Sequence, residues 1–191
     1  LSTLVRSDLE QNNVKYDIYV YFPKPNYVDQ FIINVKNYSD QDIYNYILDR
    51  LSRRGFDEIA GCKFDKEELF GQSLLANEIE INNPDYVSEI LRCEYNKGYN
   101  FGTFRIAIER FSLEIKSLNI SYEALYLHNK DYPNSFIWIN KIYKDNFSSE
   151  INANWINNPI AENVKKEFQE NAKCIDSKIY DAFLITWVFK K

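Results

Sequence analysis

Apolar residues between Thr103 and Leu118 recur at helical spacing. On a helical wheel, Phe104, Ala107, Ile108, Phe111, Ile115 and Leu118 share an arc of ~100°, while Arg105, Glu109, Ser112 and Lys116 lie opposite. Read as a strand, the stretch alternates over Phe104, Ile106 and Ile108. It then slips phase at Phe111, Leu113 and Ile115, and needs a bulge to recover. The pattern predicts a helix, capped by Gly102 or Thr103. A second helix is expected after Ser39. That residue can cap, Asp42 lies near the positive helix end, and Ile43, Tyr46, Ile47 and Leu51 form one stripe. Arg50, Arg53 and Arg54 crowd its last turn, and Gly55 can supply the left-handed residue that ends it. A third helix opens at Asn158-Pro159, with Ile160, Ala161, Val164, Phe168 and Ala172 as its stripe.

Between the helices the period changes to two. Val14 to Pro23 and the run from Gln30 are rich in β-branched and aromatic residues, so they read as a hairpin. "FDEIAGCKF" can return as a strand after the first helix. "ISYEALYLH" and "SFIWINKIYKDN" flank Asp131-Tyr132-Pro133-Asn134 and read as a second hairpin. "SKIYDAFLITWVF" is nearly continuous in apolar residues, as expected of a central strand. The stretch after Asp65 reads as a short helix leading into a short strand over Glu78 to Ile81, and "DYVSEILRCEY" fits either helix or strand. The expected class is α+β: a mostly antiparallel mixed sheet built from hairpin–helix–strand units, covered by two to three helices, in a single domain over residues 1–191.

Charge narrows the function classes. The chain has 191 residues, with 23 Lys and Arg against 28 Asp and Glu, a net −5. Its basic clusters, Arg53-Arg54, Lys165-Lys166 and Lys190-Lys191, are only pairs, so the phosphate neutralisation that nucleic-acid binding requires is missing. No run of residues is long and apolar enough for a membrane span, and no segment reads as a signal peptide. Cys62, Cys93 and Cys174 are widely spaced and odd in number, which suggests reduced thiols in a cytoplasmic protein. Fifteen Tyr and thirteen Phe make the chain rich in rings suited to core and interface alike.

Candidate chemistry is sparse. Asp85, Glu114 and Lys116 have the residue types of a metal-dependent nuclease, in which carboxylates hold the ion and a lysine polarises water. On a helix, however, Glu114 and Lys116 point about 200° apart and cannot converge. His128 is the sole histidine, and no serine or cysteine elbow accompanies it. The five glycines form no phosphate-cradling motif. No catalytic residue, cofactor or metal site is therefore expected. Acidic residues concentrate between Asp65 and Glu94, and Tyr86, Tyr95 and Tyr99 lie among or just beyond them. These features lead to the expectation of a non-enzymatic binding module, similar in size and charge to the immunity proteins that neutralise toxins. Glu78, Glu80, Asp85, Tyr86, Glu89, Tyr95 and Tyr99 would face another protein with a basic surface. The alternative is a hydrolase or nuclease using carboxylates around Asp85 and Glu114.

Overall fold

The computed structural model describes residues 18–24, 32–35, 45, 49, 52–53, 55, 69–75, 85–117, 123–143 and 158–186. Seven strands are delineated: β1 (Ile18–Pro23), β2 (Ile32–Val35), β3 (Phe70–Leu75), β4 (Tyr86–Tyr95), β5 (Glu123–His128), β6 (Ser135–Tyr143) and β7 (Ala172–Thr186). Helices α1 (Phe101–Ser117) and α2 (Pro159–Asn171) stand among them. The class is α+β, with an antiparallel sheet and, delineated among the described residues, the helices α1 and α2. Two compact units can be separated: a larger one from Val20–Ile32 and Glu68–Phe183, and a smaller one from Leu1–Tyr19, Ile33–Glu67 and Leu184–Lys191. Among the described residues no helix is long and apolar enough to cross a membrane.

In the smaller unit, Asn45, Asp49, Ser52 and Arg53 are helical, and Arg53 Nε donates to Asp49 at 2.9 Å one turn away. Gly55 follows at φ 70°, its N–H bonded to the Ser52 carbonyl, as the expected C-terminal glycine. The two strands expected at the start of the chain appear as β1 and β2, and the strand expected after Gly55 lies outside the described residues.

In the larger unit the strands adjoin in the order β1-β7-β4-β6-β5-β3. β5 and β6 form the predicted hairpin, closed by bonds from Tyr132 to Asn129 and from Ser135 to Tyr132. β7 lies between β1 and β4, the central place its apolar run implied. "DYVSEILRCEY" resolves as β4, a strand. The expected short helix ahead of Glu78 is instead β3. A Cβ on Gly71 would stand 1.8 Å from the Tyr126 carbonyl oxygen, so glycine permits the close approach of β3 to β5. Glu78 to Ile81 lies outside the described residues.

α1 covers the segment that period alone had assigned to a helix. Phe104, Ala107, Ile108 and Ile115 are buried, whereas Ile106 is 52% exposed. Its cap is Asn100 rather than Gly102 or Thr103: Asn100 Oδ1 accepts from Gly102 N at 2.8 Å, and the Thr103 hydroxyl accepts from Asn100 N. Asn158 caps α2 with Pro159 at the first helical position, as expected. α2 stops one residue early, and Ala172 turns extended to begin β7. Asn96 supplies the missing donors, sending its amide to Gln169 O and Glu170 O and its backbone N–H to Asn171 O.

The reduced-thiol expectation is corrected by the strand order. β7 is antiparallel to β4, which sets Cys93 opposite Cys174, and the two form a disulfide across 81 residues of sequence. Spacing along the chain carries no hint of that juxtaposition. Three cysteines less these two leaves one. In denaturant without reductant a thiol dye is therefore expected to label one site per chain, rising to three after reduction. Three labelled sites before reduction would show the bridge to be absent.

Candidate active site

Alternation along the strands gives the sheet two unlike faces. One face packs against the helices. Phe104 and Ile108 of α1 and Phe168 of α2 meet Tyr126, Phe136 and Trp138 of the sheet. An Arg110–Glu167 ion pair at 2.7 Å links the helices at their outer side. Within this layer the Tyr95 and Tyr126 hydroxyls are 2.7 Å apart. Burial, then the bond to Tyr126, raise the Tyr95 pKa far above the usual phenol value. Burial raises that of Tyr126 as well, with the bond from Tyr95 opposing it.

The other face carries buried polar groups. Register sets Glu123 opposite Lys141, Lys141 opposite Ser88, and Ser88 opposite Tyr180. One cross-strand row therefore runs over β5, β6, β4 and β7. In the next row Tyr143 stands opposite Tyr86. Glu123 accepts from the Lys141 ammonium, from the Tyr143 hydroxyl at 2.5 Å and from the Ser73 hydroxyl at 3.2 Å. The Lys141 side chain is 0% exposed. Its ammonium also lies over the Tyr86 ring, 5.5 Å from the centroid. Tyr86 shares a 2.5 Å hydroxyl contact with Tyr21, and its ring is edge-on to that of Tyr143 at 5.4 Å. Burial raises the Tyr180 pKa; Arg92 pulls it back and Asp176 adds to it.

The residues expected to face a partner are spread over unlike places. Tyr86 is 0% exposed and belongs to the buried cluster, so the surface role expected of it is corrected. Glu89 holds Asn140 Nδ2 at 2.8 Å and Ser177 Oγ at 3.2 Å. Asp85 immediately precedes β4. Among the described ones, Tyr95 and Tyr99 come together, lining an open cleft of about 720 Å³ with Asp131 and Tyr132. Glu78 and Glu80 lie outside the described residues. Glu114 and Lys116 diverge on α1, and among the described residues no three His, Cys, Asp or Glu side chains could hold a metal ion.

Glu123, Lys141, Tyr143, Ser73 and Ser88 escaped sequence reasoning. One signal was available: Lys141 sits between Ile139 and Tyr143 on the apolar face of an alternating strand, where a lysine is out of place.

No family model matches the sequence, and no curated protein sequence matches it. Among solved structures the fold is similar to that of a "putative monooxygenase from Lactobacillus acidophilus NCFM". The TM-score is 0.60 at 12% identity, over 97% of this chain and 84% of the other. That finding overturns the expectation of a non-enzymatic inhibitor or immunity-type module. The likeness, one of fold, is to a protein named as a monooxygenase.

Proposed function

We propose that the chain is an oxygenase-type enzyme that holds a small organic substrate at the Glu123–Lys141–Tyr143 cluster. The observation that carries the reading is a buried carboxylate and ammonium, bonded to Ser73 and Tyr143, in a fold similar to that of the Lactobacillus acidophilus protein. A buried ion pair seldom adds net stability over apolar packing, so its presence calls for another reason. Clusters of titratable groups in a protein interior are where acid–base work concentrates. In this reading Glu123 and Lys141 move and hold protons, while Tyr86 and Tyr143 orient a planar substrate with their rings and hydroxyls.

Oxygen uptake tests the reading, with a panel of hydroxylated and carboxylated aromatic compounds as substrates. Wild-type protein is expected to consume oxygen with at least one of them. Positioned proton transfer is worth ~10²–10⁴-fold, so Glu123→Gln and Lys141→Met should slow uptake by about a hundredfold or more while circular dichroism stays native. The reading fails if folded wild-type protein shows no uptake with any compound, with or without added nicotinamide reductant, flavin, haem or divalent metal.

A further inference from the structure

Two walls of the larger unit line the cleft of about 720 Å³. One is the end of β4 with the turn into α1, and the other is the turn between β5 and β6. Hydrogen bonds within the protein fix both. Tyr95 N donates to the Asn134 carbonyl at 2.9 Å and ties wall to wall. Tyr99 N is bonded to Asn96 O, the Asn96 amide is bonded to the end of α2, and Asp131 N is held by Asn129 Oδ1. The walls are therefore preformed, and a ligand need not order them.

Each wall presents one aromatic ring and one carboxylate: Tyr99 and Glu94 on the first, Tyr132 and Asp131 on the second. Turn chemistry does not account for the rings, because Gly98 at φ 89° and Pro133 supply what the two backbones require. Tyr132 is nevertheless 64% exposed and Tyr99 38%. Among the described residues neither ring packs on another, and neither carboxylate enters an ion pair or a side-chain hydrogen bond. Ring faces carry the negative side of the aromatic quadrupole, so all four groups attract positive charge. They do not suit a metal ion, since among the described residues no three His, Cys, Asp or Glu side chains could hold one. A bulky, weakly hydrated organic ammonium instead makes full use of ring faces. Lys97 lies on the same rim and opposes a cation, which gives the assignment a second sign to test.

We propose that this cleft binds a small quaternary ammonium compound between the rings of Tyr99 and Tyr132, with Glu94 and Asp131 supplying the counter-charge. The inference is independent of the oxygenase reading. Binding of choline and of its neutral carbon isostere dimethylbutanol, measured by calorimetry on the full chain at low salt, tests it. Wild-type protein should favour choline at least about tenfold. Tyr99→Ala and Tyr132→Ala should each lose about three- to thirtyfold, the worth of a cation over a ring. Tyr132→Phe keeps the ring and should stay within about twofold of wild type. Asp131→Asn should weaken binding and Lys97→Ala strengthen it, each by about two- to fivefold, and added salt should shrink both effects. These side chains are exposed, so circular dichroism should stay native throughout. Equal affinity for choline and dimethylbutanol, or equal loss in Tyr132→Phe and Tyr132→Ala, overturns the ring–cation assignment. Weaker binding in Lys97→Ala would mean that the cleft favours negative charge, and overturns it too. No choline binding up to about 10 mM removes the site altogether.

Discussion

Replacing Glu123 by alanine is expected to remove about 3–5 kcal/mol of folding stability, the usual cost of stripping one partner from a buried ion pair. The Lys141 side chain is fully buried, so water cannot replace the lost carboxylate. Tyr143 and Ser73 lose their acceptor in the same step. Against a total stability of ~5–15 kcal/mol this is a large fraction. Lys141→Met alone should cost less than Glu123→Ala, because Tyr143 and Ser73 still donate to the carboxylate. The double change Glu123→Ala with Lys141→Met should cost less than the sum of the singles, since removing both charges removes the desolvation penalty with the attraction. Urea denaturation of the four proteins measures the coupling. A Glu123→Ala variant within about 0.5 kcal/mol of wild type, the range of an ordinary surface change, would show that the cluster is not a coupled buried network.

What could be read in the sequence was what is local. α1 was legible because sixteen consecutive residues, Thr103 to Leu118, keep one apolar phase, a signal too long to arise from a short strand. The β5–β6 hairpin was legible because Asp131-Tyr132-Pro133-Asn134 has turn chemistry of its own. β3 was misread because Phe70–Leu75 is short and contains a glycine, and the reason for that glycine lies in another strand, at Tyr126. The disulfide and the cluster were hidden for a related reason. Cys93 and Cys174 meet through strand order, and Ser73, Ser88, Glu123 and Lys141 come from β3, β4, β5 and β6. Tyr86 shows the same limit at one residue. Its acidic surroundings suggested surface, yet alternation along β4 sends it and Ser88 to the buried face.

Phe104→Ala is expected to be the other severe change, at about 3–5 kcal/mol for truncating a fully packed phenylalanine. Its ring is 4.7 Å from Phe136 and 5.0 Å from Phe168, with Tyr95 and Trp138 each at 6.0 Å. It therefore joins α1 to α2 and both to the sheet, and these aromatic pairs add to the area it buries. Ile106, two residues on, is 52% exposed, and Leu113 is 67% exposed. Truncating either to alanine should change stability by no more than roughly 0.5 kcal/mol. The contrast tests the geometry directly, because a strand would place Phe104 and Ile106 on the same face and make both substitutions severe. With a urea m-value of ~2 kcal/mol/M, Phe104→Ala should lower the midpoint by roughly 1.5–2.5 M while Ile106→Ala leaves it within about 0.3 M. Comparable losses at both positions would mean that this segment does not pack as a helix with a single inward stripe. The layer of rings described between helices and sheet would then be wrong at its centre.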